Sequence, residues 1–134
     1  MQAFKERIYG CAIVLAALLA SALAHSLADS LGMARPYMVG LGEPRIPHGA
    51  RGALPSAHAT VMFTVALLLW LHPVLRPTAL AVTLLTLLTG WGRIHAGVHF
   101  PFDIAAGLLL ALLLAAAVYV AFKLVTRTAA GLRA

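Results

Sequence analysis

Charged residues are scarce in this sequence. Only 10% of its 134 residues are Asp, Glu, Lys or Arg, whereas soluble domains carry about a quarter. Hydrophobic residues make up 62%, and the mean hydropathy is +0.94. This composition suits a lipid bilayer better than water and argues against an ordinary soluble domain. The sequence therefore predicts an integral membrane protein, and its length allows one domain over residues 1–134.

Cysteine is nearly absent as well. Cys11 is the only one, and it lies within the first apolar stretch. A single cysteine excludes an internal disulfide, so cysteine usage indicates nothing about the redox compartment. We interpret Cys11 as a small filler of the core or of the lipid-facing surface.

The sequence also lacks a run of basic residues, although its formal net charge is +6. Its ten Lys and Arg are scattered, whereas a nucleic-acid-binding surface needs a clustered basic face. We therefore expect no nucleic-acid partner. Two roles remain for these cations: some set the membrane topology, and the others bind an anion.

Four apolar stretches predict an all-α bundle of about four transmembrane helices. They cover about residues 8–28, 56–71, 78–90 and 102–124. A spanning helix needs about 20 apolar residues, with a range of about 17 to 25. The first and fourth stretches satisfy this length, whereas the second and third do so only with flanking residues.

The first stretch has an alternative reading as a signal peptide. Lys5 and Arg7 precede its apolar core, and Ala22-Leu23-Ala24 resembles a cleavage site. The apolar run is long for a signal core and continues past that site. An uncleaved helix is therefore the favoured interpretation.

The distribution of cations predicts the orientation in the membrane. With a cytoplasmic N-terminus, six cations fall inside and four fall outside. The inner set is Lys5, Arg7, Arg76, Lys123, Arg127 and Arg133. The outer set is Arg35, Arg45, Arg51 and Arg93, together with Glu43, Asp103 and four of the six histidines. We therefore expect the polar chemistry to collect on the outer side.

The connection over residues 34–58 ends where a helix is predicted to begin. Pro55 and Ser56 suit a helix start, because proline fixes φ and serine caps exposed amides. The first turn of such a helix presents unpaired N–H groups and a positive dipole end, which together bind anions. His58 lies in that turn, so its imidazole can face the same anion.

The connection over residues 90–103 carries a second polar set. An arginine such as Arg93 binds phosphate oxygens with two N–H groups at once. His99 is followed by Asp103 four residues later, and a carboxylate can hold one ring N–H while the other nitrogen stays free. An aspartate at the head of a long apolar helix is costly without such a partner. The pattern indicates nucleophilic or acid–base chemistry on a phosphate.

The spacing of His95, His99 and Asp103 also suggests metal ligands along one helix face. Pro101 argues against a continuous helix there, and no convincing fourth ligand is present. We therefore expect neither a metal ion nor another cofactor.

Two of these motifs together resemble the type 2 phosphatidic acid phosphatase superfamily of lipid phosphatases and vanadium haloperoxidases. The first is Pro55-Ser56-Ala57-His58, and the second is Arg93, five residues, His99, three residues, Asp103. The stretches PSAHATVMF and RIHAGVHFPFD look particularly like the bacterial undecaprenyl-diphosphate phosphatase branch. The resemblance covers about residues 30–110.

The resemblance implies a role for each matching residue. His99 attacks phosphorus and becomes a phosphohistidine, and Asp103 orients its imidazole. His58 protonates the leaving oxygen and then activates water. The implied phosphate-binding groups are Arg35, Arg93 and the backbone amides of Ser56 and Ala57.

The sequence departs from the family pattern at several points. The motif K-x6-R-P matches Arg35-Pro36, but its lysine position is Ala28. A phosphate-binding cation is therefore missing unless Arg45, Arg51 or His25 replaces it. The two arginines are the candidates for auxiliary phosphate ligands. Ala57 and Gly92 stand where the family has glycine and serine. Members of this branch usually carry six helices, so this chain resembles a shortened version of their core.

The function implied is a lipid phosphatase of the bacterial inner membrane whose active site faces the periplasm or exterior. Undecaprenyl diphosphate is the favoured substrate, followed by phosphatidic acid, phosphatidylglycerophosphate and related lipids. A catalytically silent lipid-phosphate binder or accessory subunit is the alternative that the missing lysine suggests. An oxidase that holds vanadate is a second alternative, although its relatives are soluble or much larger. The sequence leaves open whether the protein forms a homo-oligomer.

Overall fold

The computed structural model describes residues 2–131, with side chains from residue 6 to residue 128. All regular secondary structure in this range is helical. The four long helices are α1 (Gln2–Leu31), α2 (Ala57–Leu71), α3 (Arg76–His95) and α4 (Pro101–Gly131). Short 3₁₀ turns cover Pro36–Val39 and Pro73–Leu75. The predicted all-α class is confirmed. Two cations of the topology prediction, Arg133 and the Lys5 side chain, lie outside the described residues.

Three of the four helices are long and apolar enough to cross a membrane. The exception is α2, which has 15 residues and is shorter than the ~17–25 of a spanning helix. Ser56 caps its start and Pro73 follows its end, so the apolar sequence cannot extend the helix either way. The predicted second span is therefore a helix, but a short one.

The helix α3 continues further than the sequence predicted. We expected a connection from Gly90 onward, whereas the helix runs to His95 and so includes Arg93. Gly90 does not break it, since this glycine is buried and a Cβ there would lie 3.2 Å from Cγ2 of Ile104. The helix ends because Gly97, at φ +74°, turns the chain into the left-handed region.

The short α2 is the centre of the bundle. It packs against α1, α3 and α4, and α1 also packs against α4. Leu68 is fully buried and contacts Ala16 of α1 and Ala115 of α4. The Tyr9 hydroxyl donates to the Leu68 carbonyl, so a polar bond fixes α1 to α2 within this apolar region.

On α1 the face toward the other helices consists of small residues, and many of its leucines point outward. On α1, every fourth residue over 16–28 is a buried alanine: Ala16, Ala20, Ala24 and Ala28. Leu15 and Leu18 on the same helix are 66% and 63% exposed. Membrane helices pack this way because small side chains let the backbones approach, while leucine faces the lipid as readily as it faces protein.

Gly107 on α4 makes a close helix–helix contact near the polar end of the bundle. A Cβ at this position would lie 3.0 Å from Cβ of Ala59 and 3.1 Å from both the Ser56 carbonyl oxygen and the Thr60 nitrogen. Two of those three atoms are backbone atoms, which cannot move aside as a flexible side chain can. The glycine therefore lets the first turn of α2 lie against α4.

We expect Gly107→Leu to destabilise the bundle by about 1–3 kcal/mol, because the new side chain must displace the first turn of α2. Gly10→Leu is the matched control, since a Cβ at Gly10 meets nothing within 4 Å. The measurement is thermal unfolding of both variants in the same detergent. Equal stability of the two would contradict the close approach of α2 and α4.

Candidate active site

Asp103 holds together the start of α4. Its Oδ2 accepts from the Phe100 backbone N–H at 2.8 Å, so the third residue of the helix caps the residue before its start. Pro101 occupies the first helical position, which needs no N–H. The same Oδ2 lies 3.2 Å from Nδ1 of His99. The helix start therefore fixes the orientation of the histidine.

The surroundings of His99 determine which of its nitrogens carries a proton. Its Nε2 lies 3.2 Å from Nη1 of Arg35 and 3.4 Å from Nη2 of Arg93. A guanidinium only donates, so Nε2 must accept, and the proton is on Nδ1, which donates to Asp103. The ring is 3% exposed and presents an unprotonated nitrogen to the two arginines. This is the arrangement that a nucleophilic imidazole requires.

The pKa of His99 is lowered from its ordinary value of 6.5. Burial is the largest cause, and the Arg35 and Arg93 charges lower it further. The hydrogen bond and the charge of Asp103 act in the opposite direction. The free imidazole is therefore neutral at pH 7, so its lone pair is available.

Arg35 serves mainly as a clamp. Its guanidinium is buried, and four N–H···acceptor contacts involve its three nitrogens. Nε donates to the Arg51 carbonyl at 2.8 Å, Nη2 to the Gly52 carbonyl at 3.0 Å, and Nη1 to the Val98 carbonyl at 2.8 Å. With one further N–H at His99, little of its capacity is left for a ligand.

Arg93 is the less committed of the two arginines. Its Nη2 is near both His99 and His48, at 3.4 and 3.5 Å. Its Nε is buried and has no hydrogen-bond partner among the residues that the structure describes. A buried donor of this kind is costly unless a ligand satisfies it, and an anion can do so.

The start of α2 forms another part of the site, in a way that differs from the prediction for Ser56. Ser56 is the N-cap, as predicted, and its Oγ accepts from the Ala59 N–H at 3.5 Å. Its own N–H donates to the Asp103 carbonyl at 3.0 Å, so this amide is not open to a phosphate. Ala57 is the first helical residue, and its amide has no partner within the helix by position.

These residues surround a cavity of about 120 Å³. Typical small-molecule pockets measure ~300–1,000 Å³, so the cavity fits a head group rather than a whole lipid. It is lined by His25, Ala28, Asp29, Arg35, His48, Gly49, Arg51, Gly52, Pro55, Ala57, His58, Arg93 and His99. Three arginines face a single aspartate there, which favours an anion.

The loop between α1 and α2 brings one auxiliary arginine to this cavity and not the other. Arg51 lines it, and its Nε lies 3.8 Å from Oδ1 of Asp29. Arg45 instead approaches His95, with Nη1 2.7 Å from Nε2, and lines a neighbouring cavity. The structure therefore separates the two candidates that the sequence placed together.

The metal-ligand alternative also separates in space. His95 ends α3, stacks on the Trp91 ring at 5.1 Å and is paired with Arg45. His99 lies in the next segment and is paired with Asp103. Within the described residues, no three His, Cys, Asp or Glu side chains converge on one point.

His48 also lines the cavity, whereas the sequence left its role open between solvating an outer loop and contacting the second phosphate of a diphosphate. It lies in an irregular loop rich in Gly and Pro, where no periodicity shows which side chains point inward. The structure places its ring centroid 6.1 Å from that of His99. Its place between Arg45 and Arg51 was the signal that the sequence offered.

Substitutions on either side of His99 should move its pKa in opposite directions. Asp103→Asn removes a charge that raises the pKa, so the pKa should fall further below 6.5. Arg93→Gln removes a charge that lowers it, so the pKa should rise. The measurement is an NMR titration of the histidine ring signals, with the wild-type protein as reference. Shifts of the same sign in both variants would contradict this electrostatic description.

Comparison with known proteins identifies the family of this chain. The family model described as the PAP2 superfamily matches residues 9–127, which include every residue of the cavity. "Putative undecaprenyl-diphosphatase YbjG" of Escherichia coli K12 is 39% identical over 77 residues, which are 56% of this chain and 37% of that protein. "Bacitracin transport permease protein BcrC" of Bacillus licheniformis is 35% identical over 74 residues, which are 55% of this chain and 36% of that protein.

A solved structure has the same fold. It is the transmembrane PAP2-type phosphatidylglycerolphosphate phosphatase of Bacillus subtilis, with a TM-score of 0.63 and 24% identity. The match covers 82% of this chain and 57% of that one. The chain thus spans little more than a third of its curated relatives and just over half of the solved structure. Three helices of this chain are long and apolar enough to cross a membrane, which makes it a multi-pass membrane protein. Because the family model extends over most of the sequence, the chain belongs to the PAP2 superfamily.

Proposed function

We propose that this protein is a lipid phosphatase that hydrolyses a membrane lipid phosphate or diphosphate through a phosphohistidine on His99. The observation that carries the proposal is the position of its Nε2. This atom accepts from Arg35 and Arg93 beside a cavity of head-group size, while Nδ1 is held by Asp103. A neutral nucleophile thus lies where cations would hold an anionic phosphorus centre.

In the first half of the reaction, the His99 lone pair forms a bond to phosphorus while the bond to the leaving oxygen breaks. Burial, and then the charges of Arg93, His99 and His25, lower the pKa of His58 in the free protein, so it takes up a proton from solvent as the phosphate anion enters the cavity. His58, in the first turn of α2, then gives this proton to the leaving oxygen. As the imidazole becomes positively charged, the Asp103 carboxylate stabilises it. In the second half, neutral His58 takes a proton from water, which attacks phosphorus and releases His99 and phosphate.

Positive charge for this reaction comes from the protein. Arg93, with donors to spare, and the Ala57 amide at the helix start are the groups we assign to the equatorial oxygens. Arg35 contributes its charge and keeps the site assembled. We therefore propose turnover without a metal ion or another cofactor.

The substrate class follows from the setting of the cavity. A head-group-sized cavity at one end of a helix bundle holds the phosphate, while the apolar tail stays in the bilayer. Undecaprenyl diphosphate is our first substrate, supported by the name of the Escherichia coli relative. Phosphatidylglycerophosphate and phosphatidic acid follow, the former supported by the name of the solved structure. We place the site on the periplasmic or exterior side of a bacterial inner membrane.

The test is release of inorganic phosphate from these lipids by the detergent-purified protein in the presence of EDTA. We expect release by the wild-type protein, none above background for His99→Ala, and a loss of about 10²–10⁴-fold for His58→Ala. His95→Ala is the matched control, since this histidine is paired with Arg45 outside the cavity. Turnover by His99→Ala would contradict the proposal, and no release from any lipid would favour the silent lipid-phosphate binder.

Arg51 is our candidate for the cation that Ala28 does not provide. Gly52 packs so closely on Ala28 that a Cβ there would lie 1.9 Å from its carbonyl oxygen, which places the neighbouring Arg51 beside the same wall. Its ion pair with Asp29 joins two exposed side chains and contributes little to stability. The guanidinium can therefore leave Asp29 for a phosphate at small cost.

We expect Arg51→Ala to raise KM for the lipid about tenfold, since a hydrogen bond to a charged group contributes ~1.5–3 kcal/mol and exposure reduces it. Arg45→Ala in the same loop should leave KM unchanged. Ala28→Lys in the Arg51→Ala background should restore most of the affinity, because it puts an ammonium group on the same wall. The measurement is KM from the steady-state kinetics of these variants. Equal effects of Arg45→Ala and Arg51→Ala on KM would refute the role of Arg51 as the replacement cation.

A further inference from the structure

His48 shares the cavity with His99, although the mechanism above does not use it. The ring is half-buried, its centroid is 6.1 Å from that of His99, and its Nε2 is 3.5 Å from Nη2 of Arg93. It is thus close enough to the nucleophile to touch a phosphate group bound there.

The loop that carries His48 is fixed to the rest of the protein on both sides of this residue. The Arg45 backbone N–H donates to the Ala96 carbonyl at 3.0 Å. The Tyr37 hydroxyl donates to the Gly49 carbonyl at 3.1 Å. The position of the imidazole in the cavity therefore follows from tertiary hydrogen bonds of its neighbours and is not an accident of a free loop.

The contact with Arg93 shows which hydrogen-bonding role His48 has in this structure. A guanidinium has only donors, so Nε2 of His48 accepts. The same Nη2 of Arg93 also approaches Nε2 of His99. Two imidazole lone pairs thus share one arginine nitrogen, and a phosphate oxygen is a stronger acceptor than either.

We propose that His48 is a phosphate-binding residue: when a phosphate group enters the cavity, Arg93 turns its donors to the phosphate oxygens, and Nε2 of His48 takes up a proton and donates to an oxygen. The proton comes from solvent or from the phosphate group, whose second pKa is about 6. The inference rests on the proposed function of the cavity and adds proton uptake to substrate binding.

The charges in the cavity support this exchange. The pKa of His48 is lowered to about 4, first by burial and then by Arg35, Arg93, His99 and His58. His25 and the Asp29–Arg51 ion pair line the same cavity. A bound phosphate offsets the arginine charges and adds an opposite charge nearby, and each effect raises the pKa of a histidine. Near pH 6, His48 is then neutral in the free protein and protonated in the complex.

The first test is an NMR titration of the histidine ring signals in the detergent-solubilised protein, with and without inorganic phosphate. We expect the His48 midpoint to rise from about 4 by at least about 2 pH units when phosphate is present. His95, outside the cavity, is the reference. A His48 midpoint that phosphate leaves unchanged, or a His95 shift of the same size, would overturn the inference.

The second test compares phosphate affinity between variants at pH 6 and pH 8. His48→Ala should bind phosphate about 10- to 100-fold more weakly at pH 6, and His48→Gln, which cannot take up a proton, should show a smaller affinity difference between the two pH values. His95→Gln should behave as wild type. Wild-type affinity in His48→Ala would overturn the inference.

These measurements are separable from the test of turnover. A protein that binds phosphate through His48 without hydrolysing any lipid would contradict the proposed function and leave this inference standing. An active phosphatase whose His48 titration ignores phosphate would contradict this inference alone.

Discussion

The site depends above all on the buried guanidinium of Arg35. A buried charge is expensive unless its donors are satisfied, and the acceptors here belong to segments far apart in the chain. The carbonyls of Arg51 and Gly52 come from the loop after α1, and that of Val98 from the turn before α4. Satisfying one arginine therefore requires the loop and the turn to meet, and the cavity lies between them.

The positive field that results explains both halves of the proposed chemistry. It favours an anion in the cavity, and it adds to burial, the larger cause, in lowering the pKa of His99, so that the proposed nucleophile stays unprotonated. Asp103 raises the pKa of His99 and so opposes the second effect. Its hydrogen bond keeps the ring oriented, and its charge would compensate the positive charge that forms on the ring during the proposed attack. The two arginines differ in role: Arg35 donates to backbone carbonyls and holds the site together, whereas Arg93 keeps a donor free for a ligand.

Local spacing made part of this site predictable from sequence. The His99–Asp103 pair follows from a four-residue separation at a helix start, and the Ser56 cap follows from residue type. The end of α3 was misplaced because the apolar stretch ends near Gly90, whereas the helix continues through Arg93 to His95. The loop over residues 40–55 was unpredictable because long-range hydrogen bonds, among them those of Arg35, bring Arg51 to the cavity. No sequence period separates Arg51 from Arg45, or marks His48.

The central claim is that His99 carries the phosphoryl group between the two half-reactions. The most direct measurement is rapid quenching of turnover with a lipid labelled in its terminal phosphate, followed by peptide mapping under alkaline conditions, which preserve phosphohistidine. The account predicts label on Nε2 of His99 in the wild-type protein and no label in His99→Ala. Label on any other residue would contradict it.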